Sequence, residues 1–135
     1  MNKTLLRKVK RRILARPEKY DQGTWCNTAF CIAGHTVMEA GNPEQLKEFR
    51  RIAKLVHAGE MRQADAEDFV ASTARDLLQI SMGEASLLFS ALFPEQLDEA
   101  ESESRALPTE KARRQAFAKV GAKRIDLFIS SGGEI

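Results

Sequence analysis

The sequence predicts an all-α protein, a single compact domain of about five to six helices spanning residues 1–135. Three observations carry that expectation. Apolar residues recur at the 3.6-residue helical period in one segment after another. Capping signals stand at the segment boundaries. No stretch shows period-2 alternation or an Asn-Gly or Asp-Gly hairpin turn. A chain of 135 residues suits one domain and is long enough to bury roughly two thirds of its unfolded surface.

The first helix is amphipathic. Leu5, Leu6, Val9, Ile13 and Leu14 recur at helical spacing, Arg7, Lys8, Lys10, Arg11 and Arg12 fill the other positions, and Pro17 ends it. Asn27 or Thr28 can cap a second helix running through Phe30, Ile32, Ala33, Val37 and Met38 to Gly41. Asn42-Pro43-Glu44-Gln45 then reads as N-cap, first-turn proline and capping-box partner. The third helix buries Leu46, Phe49, Ile52, Ala53 and Val56 and stops at Gly59. A fourth, from about Gln63 to Gln79, turns Phe69, Val70, Ala74, Leu77 and Leu78 inward. Ser81 and Glu84 form a capping box opening a short fifth helix with Ala85, Leu88, Phe89 and Leu92 on its apolar side. The acidic stretch from Pro94 to Leu107 reads as a ragged helix or an exposed connection. Thr109 caps the last helix, where Ala116, Phe117, Val120, Arg124, Ile125 and Phe128 keep the period until Gly132-Gly133.

Composition narrows the function classes. Hydrophobic and charged fractions of 43% and 30% are those of an ordinary globular protein. No apolar run approaches the ~20 residues that span a bilayer, so no membrane partner is expected. The basic start lacks a continuous apolar segment, which argues against a secretory signal. With two cysteines, a cytoplasmic location and free thiols are the expectation. The net charge of +2 hides an asymmetry. Residues 1–19 hold eight Lys/Arg and one acid, whereas the remainder holds thirteen against eighteen. Arg7, Lys8, Lys10, Arg11 and Arg12 are therefore the candidate binding residues for a protein or nucleic-acid partner. Lys111, Arg113, Arg114, Lys119, Lys123 and Arg124 form a second basic set.

The stretch "YDQGTWCNTAFCIAGHTV" holds both cysteines, the only tryptophan and His35. It resembles the signature of a family of small uncharacterised bacterial and bacteriophage proteins, roughly F-D-M-x-x-W followed by C-G-T-x-x-C-I-A-G-W/H-A. Tyr20, Asp21, Thr24, Trp25, Cys26, Thr28, Cys31, Ile32, Ala33, Gly34 and His35 match, while Gln22 and Asn27 depart from the usual methionine and glycine. "ARDLLQISMGEASLLF" is similar to a second element of that family, with Gln79 where a glycine is usual, and "AKRIDLFISSGG" to its ending. The resemblance implies a bacterial or phage accessory protein and brings no activity with it.

Three chemistries compete with plain packing in this stretch. Cys26 ahead of a helix N-terminus, with His35 as base, would suit a small thiol-dependent enzyme. Cys31 and His35 stand at i, i+4, and with Cys26 they form a possible metal-ligand set. "TARDLLQISMGEASLL" has a superficial helix-turn-helix look, but the would-be recognition helix carries no Lys or Arg for phosphates and bases. The packing-and-capping reading explains more of the residues, with Gly34 marking a close approach in a helix interior. No cofactor is expected. The function expected from sequence is a non-enzymatic helical binding module acting through its basic faces.

Overall fold

The computed structural model describes residues 1–21 and 31–134. Its elements are α1 (Lys3–Ala15), a 3-10 turn (Pro17–Lys19), α2 (Ile32–Ala40), α3 (Pro43–His57), α4 (Gln63–Leu78), α5 (Met82–Phe89), α6 (Pro94–Arg105) and α7 (Glu110–Ser130). The described residues contain no strand, so the chain is all-α.

Helix α1 opens on Asn2, whose side chain accepts from the Leu5 N–H at 3.0 Å, while the Asn2 N–H donates to the Leu78 carbonyl at 2.7 Å. The first helix is thus stitched to the end of α4 before it begins. Leu5, Leu6, Val9 and Ile13 are buried as their spacing predicts, and Leu14 is not. At ~100° per residue Leu14 falls outside the stripe that the other four share. Helix α7 runs antiparallel alongside, with Lys10 opposite Asp126 and Tyr20 opposite Gly121. Leu6, Val9 and Ile13 join Tyr20, Ile32, Leu78, Leu88, Ile125 and Phe128 in one core.

A second core forms around α2, where Ala33 and Val37 meet Phe49, Ile52 and Ala53 of α3 and Ala66, Val70 and Ala74 of α4. Phe89 touches both cores and joins them. Every residue of α2 from Ile32 to Val37 is buried, which makes it the central element.

The local signals explain the boundaries. Asn42 and Gln45 form a reciprocal capping box at 2.8 and 2.9 Å, and Ser81 and Glu84 form another. Thr109 accepts from the Ala112 N–H at 3.1 Å. Gly59 ends α3 with φ +74°. Helix α4 ends at Gln79, a non-glycine residue with left-handed φ 57° and ψ 50°. The acidic stretch is helical from Pro94 to Arg105. The expected caps Asn27 and Thr28, with Phe30, lie outside the described residues. Helix α2 begins at Ile32 with Cys31 as its N-cap.

Candidate functional site

Helix α1 sorts its cations by angle. With Leu5, Leu6, Val9 and Ile13 facing inward, Lys10 and Arg12 fall on the two flanks and Lys3, Arg7, Lys8 and Arg11 on the outer face. The flanking pair is spent on the protein's own body. Lys10 Nζ sits 2.8 Å from Asp126 of α7, and Arg12 Nη1 sits 3.3 Å from Glu39 of α2. Arg7, Lys8 and Arg11 are exposed and have no ion-pair partner among the described residues. Helix α1 itself contains no acid. Leu14, 41% exposed, continues this outer face one turn beyond Arg11. The five candidate binding residues therefore divide into three that face solvent and two that anchor the helix.

The second basic set divides as well. Lys111 and Lys119 are exposed, Arg113 and Arg114 lie beside Glu110, and Lys123 pairs with Glu99 at 3.2 Å. Arg124 is not available to any partner, because it is fully buried. Its guanidinium donates to the Leu88 carbonyl at 3.4 Å, to the Ser90 carbonyl, to the Ala91 carbonyl at 2.9 Å and to Gln96 Oε1. The Phe93 ring lies 4.6 Å from its Cζ. A helix end leaves carbonyls without intrahelical donors; Arg124 supplies those donors at the end of α5. Gln96 Oε1 also accepts from the Phe93 N–H, so the same oxygen ties Arg124 to the start of α6. A cation at an apolar-period position thus acts as an internal clamp.

Tyr20 is 1% exposed, and burial pushes its hydroxyl pKa far up. Its ring lies against Gly121, where an added Cβ would stand 2.5 Å from Cζ and from Oη. Only a residue without a side chain fits there. Gly121 is not among the residues that helical period or capping picks out; its sequence signal is that of a lone glycine inside a helix, which costs ~1 kcal/mol against alanine and marks such a contact.

His35, also buried, places Nε2 2.8 Å from the Lys19 carbonyl. A carbonyl only accepts, so Nε2 carries the proton. Burial, opposed by the Lys19 carbonyl and aided by the nearby Arg12 charge, lowers the imidazole pKa from 6.5 to about 4. At neutral pH His35 is an uncharged strut joining α2 to the 3-10 turn. Cys31 is a free thiol at the N-cap of α2, and burial raises its pKa, which keeps it protonated. Cys26, the nucleophile of the enzyme alternative and one ligand of the metal alternative, lies outside the described residues. Among the described residues no three His, Cys, Asp or Glu side chains are grouped to hold a metal ion. Among the described residues no single helix is long and apolar enough to cross a membrane. The chain matches no protein-family model, no curated protein and no solved structure.

Proposed function

We propose that this chain is a non-enzymatic helical binding module whose α1 outer face docks an anionic partner, with a nucleic-acid phosphate backbone as the first partner to test. The observation that carries the reading is the division of cations on α1. Lys10 and Arg12 are neutralised by Asp126 and Glu39, whereas Arg7, Lys8 and Arg11 face solvent together with no paired acid among the described residues. Their like charges repel one another, and a phosphate backbone relieves that repulsion while releasing its condensed counterions. Exposed Leu14 at the end of the face adds apolar contact to the charge. A cytoplasmic accessory role in a bacterium or phage fits the resemblance of the Tyr20–His35 stretch.

The thiol-enzyme alternative, Cys26 with His35 as base, draws less support. The His35 Nε2–H is engaged by Lys19, and an imidazole pKa of about 4 makes a weak base at neutral pH. Titration of labelled duplex and single-stranded oligonucleotides by fluorescence anisotropy at low salt tests the reading. Binding is expected for the native chain and lost or strongly weakened in Arg7→Gln/Lys8→Gln/Arg11→Gln. Equal binding by both overturns the assignment to α1. No binding by the native chain removes nucleic acid and leaves an acidic protein surface as the partner class.

A further inference from the structure

At the far end of α1 the fold gathers a second group of cations that the outer face does not use. Arg12 and Arg16 from the end of α1, Lys19 from the 3-10 turn and Arg50 from α3 line one cavity of about 230 Å³, floored by His35 and Phe49. Glu39, paired with Arg12, is the one carboxylate bound to this group among the described residues. Arg16, Lys19 and Arg50 have no ion-pair partner there. Arg12 Nε is buried with no hydrogen-bond partner among the described residues. A buried donor left unmade is disfavoured in a native structure, and this one reaches a cavity ligand only if the guanidinium turns toward it.

We propose that this cavity is a binding site for a phosphate monoester, its dianionic phosphoryl group held by Arg12, Arg16, Lys19 and Arg50. Two properties select the class. Guanidinium forks match the oxygens of a tetrahedral oxyanion bidentately, and a dianion offsets more of the converging charge than a monoanionic diester does. The cavity lies below the ~300–1,000 Å³ typical of drug-sized ligands, so it takes a phosphoryl group with a short substituent. The end of α1 presents the negative pole of its dipole, so the side chains alone carry the attraction. The site is independent of the α1 outer face, since Arg7, Lys8 and Arg11 do not line it.

The test uses the full chain labelled with 15N and titrated at pH 7 with inorganic phosphate, phenyl phosphate and dimethyl phosphate at ionic strength matched with chloride. The two histidines report by their ring resonances. His35 floors the cavity, and His57, exposed at the end of α3, is the internal control. Saturable shifts of His35 with phosphate and phenyl phosphate are expected, with His57 unmoved and dimethyl phosphate at least tenfold weaker. Arg16→Gln/Arg50→Gln, which leaves the half-buried Arg12 in place, is expected to lose at least tenfold in affinity while keeping its thermal midpoint in chloride. A His35 response that fails to saturate, or one that the double variant reproduces, overturns the site. Equal binding of dimethyl phosphate overturns the assignment to a monoester.

Discussion

Replacing Gly121 by alanine sets two well-understood effects against each other. Alanine is favoured over glycine in a helix interior by ~1 kcal/mol, so an isolated α7 would gain stability. In the fold, the new Cβ would stand 2.5 Å from Tyr20 Cζ and Oη and 2.9 Å from Cε2. Comfortable carbon separations are about 3.5–4.0 Å, so the ring or the helix must retreat by about 1 Å. Tyr20 is 1% exposed and packed in the first core, and the open space it borders is a cavity of about 440 Å³ beside Phe117, so the ring relieves the clash only by giving up packed contacts. Moving α7 instead would disturb the Arg124 clamp one turn further on. Overpacking of this kind costs roughly 1–3 kcal/mol, occasionally more, enough to outweigh the propensity gain. Urea denaturation followed by circular dichroism is therefore expected to show a lower midpoint for Gly121→Ala with an unchanged slope. In a Tyr20→Leu background the same change should cost less, giving a coupling of about 1 kcal/mol or more between the two positions. A Gly121→Ala protein as stable as the native chain, or more stable, would refute the packing argument.

Gln79→Gly should raise stability by about 1 kcal/mol, because Gln79 holds a left-handed backbone that glycine adopts without strain; a fall in the denaturant midpoint would contradict this. His35 makes stability depend on pH. Its folded pKa of about 4 lies below the ordinary 6.5, so the unfolded chain takes the proton first, and stability present above pH 6.5 is lost as pH falls toward 4. The slope should approach ~1.4 kcal/mol per pH unit in that window, and a flat urea midpoint would count against it. Arg124→Leu should cost roughly 3 kcal/mol or more, since it strips donors from the Leu88, Ser90 and Ala91 carbonyls; an unchanged midpoint would mean that water takes over the clamp.

The parts of the fold that were legible in the sequence are those governed by local chemistry. Asn42 with Gln45, Ser81 with Glu84, and Thr109 announce helix starts because the capping side chain and the N–H it serves lie within three residues. The inward stripe of α1 was equally plain except at Leu14, which the spacing grouped with it and the structure exposes. Arg124 was legible only in part: it keeps the apolar period of the last helix yet also counts among its cations, and nothing local brings the carbonyls of α5 beside it. The phosphoryl cavity was legible only in part. Arg12 stood out within the basic run, but Arg50 comes from a different helix, and no spacing rule connects them. Gly121 carries a local signal, a glycine inside a helix, but its partner Tyr20 lies about 100 residues away in the chain and no spacing rule joins them. The separation of Lys10 and Arg12 from Arg7, Lys8 and Arg11 follows from the helical angle, but which flank meets Asp126 and which meets Glu39 is decided by tertiary packing.

The central claim is that Arg7, Lys8 and Arg11 act together on an anionic partner, and the salt dependence of duplex binding tests it most directly. Each phosphate neutralised adds about −0.9 to the slope of log K against log salt on duplex DNA. The account predicts that Arg7→Gln/Lys8→Gln/Arg11→Gln flattens that slope by about two to three units relative to the native chain, with the thermal midpoint unchanged. Identical slopes for the two proteins would contradict it.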